Sequence, residues 1–173
     1  MMSSLTEELM ILSQVRALEG VSETGLRQIL GIARERRFSP GEVIIHEGEV
    51  GNSIFIIKQG EVEISMAITL PLSEREREKV LVRLGKGSLF GEVAFVFGEE
   101  QRTATVVSRT EVSLLEVSSS DFEKIISENM RDGLVIFKNI ARIMAERLRK
   151  ANQDIAKLTT VLSVVLSKVE RRR

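Results

Sequence analysis

The chain has 173 residues, enough for one domain with an appendage, and its 25 basic side chains balance 25 acidic ones. That neutrality gives no global pull towards nucleic acid, membrane or acidic partners, and the absence of cysteine with a single histidine, His46, excludes disulfides, thiolate metal sites and any multi-histidine centre. The opening MMSSLTEELMIL lacks a basic lead-in, and the longest nearly apolar stretch, Val161 to Leu166, falls far short of the roughly 20 residues of a spanning helix, so a soluble, cytoplasmic protein is expected.

Residues up to about Arg36 read as helical: Leu5, Leu9 and Leu12 share a face, and Ser22 is placed to cap a second helix bearing Leu26, Ile29, Leu30 and Ala33. From Arg37 the period changes. Pro40-Gly41 signals a tight turn, Val43 to His46 a strand, Glu47-Gly48-Glu49 another turn, and Ile54 to Ile57 an apolar strand ending at Gln59-Gly60. Val62, Ile64, Met66, Ile68 and Leu70 then alternate with more polar or smaller residues, the period of a strand with one buried face, until Pro71 stops it. The charged run Glu74 to Lys79 reads as a solvated hairpin tip before the returning strand Val80 to Leu84. His46, beside a turn, receives no role.

The segment Gly87-Ser88-Leu89-Phe90-Gly91-Glu92-Val93-Ala94, with Arg102-Thr103-Ala104-Thr105 following, has the chemistry of an anion trap with a sugar hook. Glycines let backbone approach a ligand, and Val93 to Phe97 can form a helical turn whose N-terminus offers free N–H groups. The forked guanidinium of Arg102 matches two phosphate oxygens. A carboxylate can only accept hydrogen bonds when ionised, so Glu92 suits a sugar hydroxyl. Strands at Ala104 to Val107 and Val112 to Val117 follow. Short strands with glycine corners at this density indicate a closed β-roll or jelly-roll.

Beyond a helix expected to be capped by Ser120-Asp121 and a break expected at Gly133, apolar residues recur in alternating steps of three and four. They are Leu134, Phe137, Ala141, Met144, Leu148, Ala151, Ile155, Leu158, Leu162, Val165 and Val169. This is a heptad seam, the pattern by which helices pair side by side, and it predicts a homodimer through Leu134 to Val169. The closing Arg171 to Arg173 suits a helix C-terminus.

FGEVAFVFGEEQRTATVV resembles the phosphate-binding cassette of the cyclic-nucleotide-binding family, which includes the catabolite activator proteins and the regulatory subunits of cyclic-AMP-dependent protein kinase. The resemblance covers roughly Val15 to Leu158 and implies the same β-roll. It matches Gly91 to the glycine that approaches the phosphate, Glu92 to the acid on the ribose 2′-hydroxyl, Arg102 to the arginine on the cyclic phosphate, and Thr103 with Ala104 to the small residues beside it. Phe90, Val93 and Ala94 complete the cassette. Gln101 stands where eukaryotic members usually carry proline. Thr103 carries a hydroxyl associated with cyclic-GMP preference in the family's kinases but shared by bacterial cyclic-AMP receptors. In relatives of the catabolite activator type the long helix touches the base, which puts Asn152 at that level here. Val62, Ile64, Leu81 and Val82 are candidates for the apolar wall against the base.

The expectation is a mainly β fold, an antiparallel β-roll flanked by N-terminal helices and a long C-terminal dimerisation helix. Residues 1–36 form the helical segment, 37–130 the ligand roll and 131–173 the heptad helix. The expected function is non-catalytic sensing of a cyclic nucleotide, cyclic AMP favoured over cyclic GMP, with no cofactor, no metal and no nucleic-acid partner, and with no helix-turn-helix domain. The alternatives are the sensor fragment of a catabolite-activator-type transcription factor, or a dimerising module with a vestigial or different ligand site.

Overall fold

The turn signals Pro40-Gly41, Glu47-Gly48-Glu49 and Gln59-Gly60 fall between strands in the computed structural model, which describes residues 2–68 and 77–170. Helix α1 (Met2–Ser13) buries Leu12, and Val15, Ala17 and Leu18 follow it into the core around one short helical turn. Helix α2 (Glu23–Ile32) starts where the Ser22 hydroxyl accepts the Gly25 N–H at 3.1 Å, satisfying a donor that the helix itself leaves open.

The strands are β1 (Arg34–Phe38), β2 (Val43–Ile45), β3 (Val50–Gly51), β4 (Ser53–Gln59), β5 (Glu61–Ile68), β6 (Arg77–Gly85), β7 (Leu89–Phe90), β8 (Glu100–Gln101), β9 (Thr105–Ser108) and β10 (Val112–Ser118). They form two four-stranded sheets, β1-β10-β4-β7 and β2-β9-β5-β6, and a two-stranded ladder of β3 and β8. All pairings are antiparallel. Ile45, Val62 and Val106 from one sheet pack with Phe55, Ile57, Phe90, Val112 and Leu114 from the other, and this apolar cluster fills the inside of the roll. Helix α3 (Glu92–Phe97) is inserted between β7 and β8, and α4 (Ser119–Glu128) and α5 (Met130–Glu170) close the chain.

Five local expectations are corrected. Arg34 to Arg36 are not helical but begin β1, whose residues pair with Val112 to Glu116 of β10; their charges, on a strand exposed along nearly its whole length, hide the strand period. In β5 the expected burial fails after Ile64: Ser65 is 3% exposed whereas Met66 is 36% exposed. The change coincides with a bulge in the facing strand, where Ile64 pairs with Val82 and Ser65 with Val80, leaving Leu81 unpaired. The cap of α4 is Ser118, whose hydroxyl accepts the Asp121 N–H at 3.1 Å, so Ser120 and Asp121 lie in the first turn. The break before α5 falls at Asn129, and Gly133 lies inside that helix, where an added Cβ would stand 2.7 Å from Ile126; its glycine serves close packing of α5 on α4. Arg77 to Lys79, expected as part of a solvated tip, instead begin β6 and pair with Ile68 to Met66, because the ladder with β5 runs on past Val80. Thr69, Leu70, Pro71 and the tip residues Glu74 to Glu76, together with Arg171–Arg173 and the Val169 side chain, lie outside the described residues.

The chain divides into two units, Met1–Asn139 and Ile140–Arg173. In the first, the early part of α5 is fastened to the N-terminal helices: buried Asn139 donates to Ala17 O at 3.2 Å and Glu19 O at 2.8 Å. The second unit is the remainder of α5, a helix whose apolar residues from Leu148 to Leu166 are all exposed in the single chain.

Candidate functional site in the β-roll

The backbone of Arg102 is held by the segment leading into β3. Its N–H donates to Glu49 O at 2.8 Å, and its carbonyl accepts the Gly48 N–H at 2.8 Å. Beyond this point Val50 pairs with Gln101 and Gly51 with Glu100, so the short ladder fixes where the Arg102 side chain departs. That side chain turns inward and is only 7% exposed. Nη1 donates to Ser53 O at 2.8 Å and to Gly91 O at 3.3 Å. Cζ stands 5.7 Å from the centroid of the Phe55 ring, which stacks on Phe90 at 5.1 Å and 13°. A cation over an aromatic face is attracted by the ring quadrupole.

These contacts leave Arg102 with neutral partners. Nη1 bonds to carbonyls, and Nε is buried with no hydrogen-bond partner. Burial pushes the guanidinium pKa down from its ordinary value, and the charges of Glu49 and Glu116 act against that push. An arginine does not lose its proton in a protein, so the group stays a buried cation.

Phe90 and Gly91 bring the other half of the cassette to it. Gly91 sits at φ 81°, a left-handed conformation open to glycine, and an added Cβ would lie 2.8 Å from Ser53 O and 2.9 Å from Arg102 Nη1. It joins β7 to α3, and the Phe95 N–H closes the first helical bond onto Gly91 O at 3.2 Å. Glu92 opens α3 and is 8% exposed, Ala94 is buried and Val93 half-buried. Thr103 is exposed and Ala104 half-buried as the chain leaves Arg102 for β9. The structure thus brings Phe90, Gly91 and Arg102 together, with Glu92, Val93 and Ala94 following Gly91 on α3.

The remaining candidates fare differently. Val62 belongs to the core, Ile64 packs against it and Val82 pairs with Ile64, whereas Leu81 is 46% exposed at the bulge. Asn152 belongs to the second unit, exposed in a shallow groove along α5 with Ala145, Leu148 and Ala156. His46 is exposed just past β2. Three contributors to the Arg102 environment were not anticipated: Gly51, Ser53 and Phe55. Ser53 acts through its carbonyl, which no side-chain pattern reveals, and Phe55 reads simply as one apolar residue of a buried strand.

Residues 35–129 match the family described as cyclic nucleotide-binding domain. The chain belongs to that family.

Among similar proteins, Glutaminase 1 of Bradyrhizobium diazoefficiens is 30% identical over 86% of this chain and 22% of its own length. The cGMP-dependent protein kinase isozyme 1 of Drosophila melanogaster is 32% identical over 68% of this chain and 15% of its own. The regulatory domain of Toxoplasma gondii PKA, co-crystallised with cAMP, superposes with a TM-score of 0.60 at 27% identity over 71% of this chain and 44% of that one. The chain spans 22% or less of the length of the two curated relatives named. No helix among the described residues is long and apolar enough to cross a membrane.

Proposed function

We infer that this chain is a non-catalytic sensor that binds a cyclic nucleotide, cyclic AMP in preference to cyclic GMP, and signals by pairing its C-terminal helix with that of a second copy. One observation carries the binding assignment: Arg102 is a cation 7% exposed, its Nη1 bonded to carbonyls and its Nε buried without a partner. Burying a charge bonded only to carbonyls costs several kcal/mol, which the nearby charges of Glu49 and Glu116 offset in part, and a cyclic phosphate supplies an anion in direct contact. Glu92, buried at the start of α3 beside Gly91, is the group assigned to the ribose hydroxyl. Val93, Thr103 and Ala104 complete the contact surface, and Phe90 and Ala94 are buried behind it.

The cyclic-AMP preference is supported by the Toxoplasma domain in complex with cAMP, while the Drosophila kinase names the competing nucleotide. Calorimetric titration with both nucleotides tests the assignment directly. Tighter binding of cyclic AMP is expected, and binding of neither removes the ligand assignment.

Pairing of the helices is supported by the seam itself. Leu148, Ile155, Leu158, Leu162 and Val165 are apolar, exposed in the single chain and spaced for knobs-into-holes contact with an identical helix. A self-complementary row of this kind fits a two-fold dimer. Sedimentation of the parent chain decides between dimer and monomer.

A further inference from the structure

Helix α5 changes character near its end. From Arg147 to Lys157 its large apolar residues are Leu148 and Ile155, set among Arg147, Arg149, Lys150 and Asp154. That is the narrow stripe by which one helix covers another. From Leu158 to Ser167 no side chain is charged, and Val161, Val164 and Leu166 stand beside the seam residues Leu158, Leu162 and Val165. At about 100° per residue these six spread over roughly 200° of the helix circumference, about twice the stripe that faces one neighbour. The three outside the seam are open in the single chain: Val161 is 60% exposed, Val164 48% and Leu166 53%. The hydroxyls between them do not restore a polar face. Thr159 donates to Ile155 O at 2.9 Å, Thr160 to Ala156 O at 2.9 Å, Ser163 to Thr159 O at 3.0 Å and Ser167 to Val164 O at 3.0 Å. Hydroxyls bonded to carbonyls of their own helix keep a partner when the surface around them is buried.

The seam itself changes at the same place. With Ile155 and Leu162 as heptad positions a, Leu158 and Val165 are positions d. A β-branched residue at a followed by leucine at d, as in Ile155 and Leu158, favours two strands. Leu162 and Val165 reverse that order, and leucine at a with a β-branched residue at d favours three or four. Val161 and Leu166 occupy the flanking g and e positions, where a two-stranded coiled coil commonly carries charges. We propose that the end of α5 is a meeting surface for two dimers: Leu158 to Leu166 of one helix pair packs against the same residues of a second pair of this chain, closing a four-helix core. Leu148 and Ile155 join the helices in twos, so four is the number that satisfies both parts of the seam. The occupant is a second copy because this face continues the self-complementary seam without a break, and dimers joined by further two-fold axes are a common closed assembly. The inference rests on the helix pairing assigned above and goes beyond it by giving the pair its own partner.

The test is sedimentation equilibrium of the full chain from low to high micromolar concentration, beside the double variant Val161→Glu with Leu166→Lys. The parent is expected to form tetramers that dissociate into dimers on dilution. In a parallel dimer the two new charges lie at g and at the e position of the partner helix, where opposite charges attract across the seam. In a four-helix core they would be buried, which is costly, so the variant should associate beyond the dimer at least about tenfold more weakly. Glutamate and lysine favour the helix more than valine does, so circular dichroism should show α5 retained. A parent that stops at the dimer overturns the proposal, whether that face then takes a different protein or a membrane surface. Tetramers of equal strength in the double variant overturn it too, as does a parent that grows into aggregates of no fixed size. A parent that is monomeric throughout removes the helix pairing itself and this inference with it.

Discussion

Asp132, with 0% exposure in the first turn of α5, accepts hydrogen bonds from both the backbone N–H and the hydroxyl of Ser22, the cap of α2. Asn129 adds its amide at 2.8 Å and takes the Asp132 N–H at 3.2 Å. A side chain on Gly25 would collide with the carboxylate, so helix α2 approaches closely enough for the bond because that residue is glycine. One buried charge therefore fastens the N-terminal helices to the start of the long helix, across 110 residues of sequence.

Replacing that charge should destabilise the first unit without touching the ligand site. Asp132→Asn keeps the shape but turns an acceptor into a donor facing other donors, at an expected cost of about 2–3 kcal/mol. Burial pushes the Asp132 carboxyl up, but the hydroxyl and N–H of Ser22 and the Asn129 amide outweigh it, with Arg131 adding a little, and hold its pKa below the ordinary 3.8. The bonds of Asp132 thus contribute fully above the ordinary aspartate range, and the contribution is lost as pH falls through the lower folded value. Thermal melts of the parent should drop on acidification below about pH 4 by more than those of Asp132→Asn. Parallel curves would mean that the carboxylate is not ionised in the fold.

The cassette predicts an asymmetric pair of binding defects. Arg102→Leu removes the buried cation and should weaken cyclic-nucleotide binding by about 2–5 kcal/mol, a loss of roughly thirtyfold to several-thousandfold in calorimetric titration. Glu92→Gln should weaken the ribonucleotide more than its 2′-deoxy analogue, since only the former has a hydroxyl to donate. Two variants that both titrate like the parent would show that the ligand, if one binds, sits elsewhere.

Much of this architecture was visible beforehand, for physical reasons. The cassette is local in sequence, so Gly91, Glu92 and Arg102 could be picked out as a string, and the inward face of β5 showed itself in Val62 and Ile64. Strand β1 was hidden because its pairing with β10 is long-range and its residues from Arg34 to Arg37 are exposed and charged. Ser53 was invisible because it offers a carbonyl, which every residue has. Gly51 carried no reading in the sequence; a side chain there would meet the guanidinium of Arg102, which is brought to it from 51 residues further along the chain.

Assembly has its own test at Ile155. It lies exposed in the single chain at the middle of the seam, where a paired helix would bury it, so Ile155→Glu would place two like charges face to face in a dimer. Monomers are expected by sedimentation, with the β-roll still folded and the nucleotide still bound, because the residue belongs to the second unit. A parent chain that is monomeric at high micromolar concentration would leave the seam without this partner.

Asn152 offers the last test, and it concerns output. Its amide carries a donor and an acceptor, so it can serve the edge of either adenine or guanine, whereas neighbouring Ala151 on the seam can serve neither. It is exposed on α5 beside the small side chains of Ala145 and Ala156. If Asn152 is a ligand residue, Asn152→Ala loses one hydrogen bond, worth about 1 kcal/mol or roughly five- to tenfold in affinity, and narrows the difference between cyclic AMP and cyclic GMP. A ligand shifts an equilibrium only through contacts that differ between states, so such a residue also makes the helix responsive to nucleotide. Amides from Arg142 to Leu158 should then gain protection from hydrogen exchange when cyclic nucleotide is added to the parent, and gain less in Asn152→Ala. Unchanged affinity in the variant, with exchange in the parent helix indifferent to nucleotide, would confine the ligand's effect to the roll.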